Sequence, residues 1–126
     1  MLKDMQNYGP LDNYISTHRR MAGLSQDELA VLMGNEMRES IGRYEQGIRR
    51  VDLHGALALE VILDEPLQYL FAGVSEKVRA DVARRAKALL EGMTDKPNAK
   101  NAEKLATLDR LAHLDDDNFI AWEPAA

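Results

Sequence analysis

The side chains best suited to chemistry in this chain are few, and most of their arrangements exclude catalysis. His18, His54 and His113 sit on three separate helical patterns, and none has a second histidine four residues away. That spacing argues against a metal site and against a catalytic dyad. With no cysteine, the chain has no disulfide, no thiolate zinc site and no thiol nucleophile, which fits a reducing compartment. Ser16, Ser25, Ser40 and Ser75 lack the context of a nucleophile elbow or a lysine dyad; Ser25 and Ser75 read as helix caps. Asp115-Asp116-Asp117 reads as a solvated acidic turn, and no glycine-rich phosphate loop is present. No catalytic residue, metal or cofactor is implied, and the chain does not read as an enzyme.

What remains is hydrogen-bonding chemistry. Arg38, Arg43, Arg49 and Arg50 lie within thirteen residues, against Glu39 and Glu45 only. Ser40 and Gln46 fall in the same stretch, and Gln26 precedes it. A local excess of guanidinium groups over carboxylates suits phosphates and base edges. The whole-chain charge points the other way: 16 basic against 21 acidic residues leave −5 over 126 residues. Dividing the charge resolves the conflict. Residues 51–73 carry four acids and no base, and residues 101–126 carry six acids and two bases, whereas 74–100 carry seven bases and four acids. The acidity is zoned, and residues 38–50 lie outside the acidic zones.

Length and composition fit one domain with an appendage, 45% apolar and 29% charged. No apolar run approaches the roughly 20 residues that cross a bilayer, and Met1–Pro10 lacks the apolar core of a signal peptide. A cytoplasmic protein without a membrane partner is expected. Residues 1–10 read as a leader, 11–73 as a domain and 74–126 as a helical extension.

The elements that must position these side chains are helices. Leu11, Ile15, Arg19 and Ala22 predict a first helix ended by Gly23. Ser25 caps a second, with Asp27 and Glu28 in its first turn, a face of Leu29, Leu32 and Met33, and Gly34 at its end. Met37, Ile41 and Tyr44 mark a third, stopped by Gly47. Asp52 caps a fourth with Leu53, Leu57 and Val61 on its face, and Pro66 opens a fifth with Leu67, Leu70 and Phe71 inward. Ser75 is expected to cap a longer helix to Glu91, with Val78, Val82, Ala86 and Leu89 in one stripe. Residues 92–97 form a linker, and Asn98 or Asn101 starts a last helix bearing Ala102, Leu105, Leu108 and Leu111. No strand-like alternation of convincing length appears, so the class is all-α.

Two short helices joined by a glycine-bearing turn are what a helix-turn-helix requires. The first lies across the phosphate backbone; the second fits the major groove, held by Ile41 and Tyr44 on its inner face. Leu24-Ser25-Gln26, Leu29-Ala30, Gly34, Ile41-x-x-Tyr44-Glu45-x-Gly47, Leu57-Ala58-Leu59 and Pro66-Leu67-x-x-Leu70-Phe71 together resemble the Xre/Cro/cI-type regulators of bacteria and phage. The resemblance covers about residues 11–91, and its turn from Gly34 to Ile41 is one residue longer than the commonest family pattern. It implies a five-helix lambda-repressor-like domain followed by amphipathic helices.

Residue by residue, the resemblance implies the following roles. Gln26 bonds a phosphate at the start of the second helix. Arg38, Glu39, Ser40 and Arg43 face base edges, with Arg suited to guanine O6/N7 and Glu to cytosine N4. Glu39 has two other readings, as a repeller of wrong sequences or a bystander, and Ser40 reaches a base or a phosphate. Gln46, Arg49 and Arg50 hold the backbone, and Arg19 pairs with Glu45 as a structural salt bridge. Gly42 either admits close approach to DNA or is merely tolerated, at about 1 kcal/mol of helix propensity relative to Ala.

The C-terminal helices carry apolar stripes in need of a cover, and Phe119, Ile120 and Trp122 add three large apolar side chains near the terminus. Val78, Val82, Leu89, Leu105, Leu108, Leu111 and Trp122 are therefore expected at a homodimer or partner interface. The reading is a sequence-specific DNA-binding transcriptional repressor that docks residues 37–46 in the major groove of a palindromic operator, as a homodimer on double-stranded DNA. Two alternatives stand beside it. One is an antitoxin that autoregulates through the same helices and neutralises a basic toxin with its acidic segment; the other is a protein-interaction module without DNA binding.

Overall fold

Caps and left-handed turn residues cut the described chain into helices, and the computed structural model describes residues 10–34, 36–93 and 97–116. In chain order the helices are α1 (Ile15–Met21), α2 (Gln26–Leu32), α3 (Arg38–Glu45), α4 (Leu53–Leu63), α5 (Leu67–Leu70), α6 (Ala72–Gly92) and α7 (Ala102–Ala112). No strand occurs among the described residues. The architecture is all-α, with a helix-turn-helix domain towards the N-terminus followed by further helices. The chain divides into two compact units, residues 1–74 and 75–126.

In the first unit Ile15, Leu29, Ala30, Ile41, Tyr44, Leu59, Leu63 and Leu70 form the buried core, with Leu24, Met33, Val51, Ile62, Leu67 and Phe71 packed against it. Every one of α1 to α5 contributes, so the core is the common floor on which α2 and α3 rest. Here α2 packs on α3, α1 on both α3 and α4, and α4 on α5. Backbone hydrogen bonds close the unit. The Tyr14 N–H donates to the Leu70 carbonyl at 2.7 Å, and the Gly73 N–H to the Leu11 carbonyl at 2.8 Å. A Cβ on Gly73 would lie 2.6 Å from the Leu11 carbonyl oxygen, so glycine is required for that close approach.

Four expectations are corrected. Leu11 lies outside α1 and is exposed, because the chain before Ile15 is held by its bonds to Tyr14 and Gly73 and does not coil. Leu32 and Met37 are exposed, and Ala30 takes the inward place beside Leu29. On α4 the expected face is the outer one: Leu53 is 72% and Val61 80% exposed, Leu57 is also exposed, and Leu59 and Leu63 are buried. This helix is apolar nearly all round, so spacing alone does not choose its rotation. Asp52 at its N-cap accepts from the Gly55 N–H at 2.7 Å, and Glu60 Oε2 accepts from the Leu67 N–H at 3.0 Å. The first starts the helix and the second ties it to α5, and packing on α1 and α5 sets which side turns inward. Finally, Ser75 lies inside α6, since the chain leaves α5 at Phe71 and coils again at once.

In the second unit Ala83, Ala86 and Ala112 are buried, and Lys87 Nζ pairs with Asp115 Oδ2 at 3.3 Å. Asn101 precedes α7 as its N-cap residue, and its side chain accepts from the Asn98 N–H at 2.8 Å.

Candidate nucleic-acid interface

The interface is built on two short helices that hold one another. Ser25 starts α2 with a complete capping box. The Glu28 N–H donates to Ser25 Oγ at 3.0 Å, and the Ser25 N–H donates to Glu28 Oε1 at 2.9 Å. The backbone hydrogen bond and then the hydroxyl of Ser25 hold the Glu28 carboxyl below its ordinary value. Gly34 has φ +109°, so the turn between α2 and α3 is made where only glycine is unstrained. The extra residue of the turn is absorbed before Met37, the N-cap of α3, and the Glu36 N–H donates to the Ala30 carbonyl at 3.1 Å.

Ile41 and Tyr44 are buried and fix the rotation of α3. At about 100° per residue the remaining positions then sort themselves. Glu39, Arg43 and Gln46 lie opposite the buried pair, Arg38 and Glu45 lie towards α2, and Ser40 lies on the other flank. Glu39, Arg43, Gln46 and Arg50 are exposed and make no side-chain contact among the described residues.

On the α2 flank a polar network fastens three helices. The Arg19 Nε–H donates to Glu45 Oε2 at 2.6 Å, and its Nη1 donates to the Leu24 carbonyl at 2.9 Å. The Gln26 amide donates to Glu45 Oε1 at 2.9 Å. Arg19 and Glu45 are 11% and 7% exposed, so the pair is sheltered from solvent screening. The structure thus places Gln26 on Glu45, which leaves the second amide N–H as the donor available to an anion. Arg38 stands 4.0 Å from Asp27, a weak and largely exposed pair that leaves the guanidinium accessible.

On the far flank Arg49 folds back over α3. Its guanidinium carbon lies 5.4 Å from the Tyr44 ring centroid, and its Nη1 donates to Ser40 Oγ at 3.3 Å. The Tyr44 hydroxyl donates to Glu36 Oε1 at 3.3 Å. Burial, and after it the charge of Glu36, pushes the Tyr44 phenol up from its ordinary value. Spacing identified Tyr44 only as an inward residue and passed over Glu36. The available signal was the hydroxyl itself, because a buried phenol needs a partner.

The remaining candidates belong to other elements. Val78 and Leu89 are exposed on α6 and Val82 is half-buried; Leu105, Leu108 and Leu111 are half-buried on α7. Trp122, Phe119 and Ile120 lie outside the described residues, as does most of the expected leader. His18 Nδ1 lies 3.9 Å from Glu65, and among the described residues no three acidic or histidine side chains are grouped to hold a metal ion. No described helix is long and apolar enough to cross a membrane.

The arrangement offers guanidinium and amide donors in a strip one helix wide, which is the donor pattern that reads base edges between two rows of phosphates. Residues 15–70 match the family model described as helix-turn-helix. No curated protein and no solved structure matches the chain. Residues 15–70 are thus a helix-turn-helix domain of the Xre/cI type, the domain of a DNA-binding regulator.

Proposed function

We propose that the protein is a sequence-specific transcriptional repressor that inserts residues 37–46 into the major groove and excludes polymerase from the promoter. The observation that carries this reading is the outer strip of α3. Glu39, Arg43 and Gln46 project together from a helix anchored by Ile41 and Tyr44, with no partner of their own among the described residues. In this reading Arg43 pairs with a guanine, Glu39 accepts from a cytosine or rejects competitors, and Arg38 and Ser40 reach the base edges on either side. Gln26 approaches the phosphates through the amide N–H that Glu45 leaves open, while Gln46, Arg49 and Arg50 hold the other strand. Arg19 and Glu45 serve the frame that keeps α1, α2 and α3 in register.

The protein acts as a homodimer on a palindromic operator, assembled through residues 74–126. One recognition helix reads a short site, and a two-fold dimer doubles it at a spacing of about one helical turn. Support comes from α6, where Val78 and Leu89 present apolar surface to solvent. In vitro selection of duplexes bound by the full chain tests the whole reading. Enrichment of one half-site in inverted repeat is expected; recovery of unenriched random duplex overturns it.

A further inference from the structure

We infer that Tyr44, whose spacing makes it a core residue, is also the positioning residue for Arg49, so that the far flank of α3 is a phosphate clamp already formed before DNA arrives. The inference rests on the DNA-binding reading above and names how one of its contacts is prepared.

Three sets of contacts converge on Arg49. Its backbone is fixed first: the Ile48 and Arg49 N–H groups both donate to the Arg43 carbonyl, at 2.9 and 3.2 Å. That doubling-back needs the left-handed Gly47, at φ +73°. Its guanidinium is fixed second, lying over the Tyr44 ring at 5.4 Å and bonded to Ser40 Oγ at 3.3 Å. Tyr44 itself is fixed third. Its hydroxyl is held by Glu36 at 3.3 Å, and its backbone carbonyl accepts from Asn13 Nδ2 at 3.0 Å. Glu36 in turn is tied to α2 through its N–H and the Ala30 carbonyl. The chain of contacts therefore runs from the helix-turn-helix turn, through the recognition helix, to the loop behind it.

A guanidinium has five N–H groups, and the bond to Ser40 engages one of them. The Tyr44 ring stands on one side of the guanidinium and Arg49 is exposed, so the remaining donors are open to a phosphate oxygen. Arg43 and Arg50 make no such contacts among the described residues and are ordered only by DNA. An arginine held in place before binding does not lose that side-chain freedom on binding, so its contribution to affinity is larger for the same charge.

The test has one arm without DNA and one with it. In the free full-length protein, 15N relaxation of the arginine Nε–H groups should show Arg49 more ordered than Arg43 and Arg50, with its Hδ protons shifted by the Tyr44 ring current. Arg49 as mobile as the other two overturns the proposal. With selected operator DNA, Arg49→Ala should reduce the slope of log affinity against log salt by about one. Tyr44→Leu should weaken binding about 3- to 10-fold with the slope unchanged, because the charge is kept and only its ordering is lost. In an Arg49→Ala background Tyr44→Leu should then have a clearly smaller effect, because only its packing role is left to lose. An equal loss in both backgrounds marks a general packing defect and overturns the proposal. Should Tyr44→Leu fail to fold, Tyr44→Phe, which keeps the ring and frees it from Glu36, should raise Arg49 mobility in the relaxation measurement; unchanged mobility there counts against the Glu36 anchor. Absence of any DNA binding removes the functional reading, and the relaxation arm still decides whether Tyr44 orders Arg49.

Discussion

Arg43 and Arg49 separate the two kinds of contact that a recognition surface needs. Arg43 projects from the centre of the exposed strip of α3 with no hydrogen-bond or ion-pair partner among the described residues, whereas Arg49 is held beside the helix by Tyr44 and Ser40. Arg43→Ala should therefore weaken the selected operator by about 1–3 kcal/mol and relax preference at one base pair, read by competition among single-base variants. Arg49→Ala should weaken operator and random duplex alike. Unchanged operator affinity in Arg43→Ala would show the reading face to be misplaced. Gly42 invites the opposite experiment. A Cβ there meets only Gln26 Nε2, at an ordinary 3.8 Å. Gly42→Ala should raise thermal stability, by about 0.5–1 kcal/mol, through helix propensity. If operator affinity falls while stability rises, close backbone approach to DNA is the reason for the glycine.

At the scale of elements, α2 and α4 show how local bonds set a helix. In α2 the capping box ties Ser25 to Glu28, and the depressed Glu28 carboxyl marks a preference for its charged form. A carboxyl whose folded value lies below its unfolded one contributes stability above the ordinary glutamate range, and that contribution is lost as pH falls through the folded value. Ser25→Ala should accordingly destabilise the protein more at pH 7 than at pH 3, measured by urea unfolding at both. In α4 the Asp52 cap starts the helix, while its rotation is decided by packing on α1 and α5 rather than by apolar spacing. Val61→Lys should change stability by no more than about 0.5 kcal/mol, while Leu59→Ala should cost about 2–5 kcal/mol. A large loss in Val61→Lys would mean that the outer face of α4 is covered in solution.

Over the whole molecule, charge and assembly must be taken together. A chain of net −5 gains little from non-specific attraction to DNA, so the proposed reading requires its affinity to come from base contacts and from a second copy. Sedimentation equilibrium at micromolar concentration is expected to show a dimer, and Leu89→Asp on the exposed face of α6 should shift it towards monomer and lower operator affinity by at least tenfold. A monomer both alone and with operator counts against the dimer. Because exposed charges are screened by salt, dimer stability should be measured at the ionic strength used for DNA binding.

Much of the fold is legible in the residues alone, because the decisive signals are local. Ser25, Gly34, Asp52 and Pro66 act through the backbone within a few residues, so helix existence and order follow from them directly. Ile41 and Tyr44 stand three apart between polar neighbours, which determines the inward face of α3 and, by subtraction, its outward strip. Leu53, Leu57 and Val61 show where such reasoning stops. On a helix apolar on nearly every side, periodicity has no preferred direction, and only packing against α1 and α5 decides that Leu59 and Leu63 turn inward. The same holds for Gln26, whose partner is nineteen residues away, and for Tyr44 and Arg49, whose contact depends on the chain doubling back at Gly47. Residue types and spacing by themselves determined a helix-turn-helix whose third helix and the residues just after it, 38–50, are locally basic. Which side chains on and beside that helix find partners in the protein was decided by tertiary structure, because those partners are brought together through space and not along the chain.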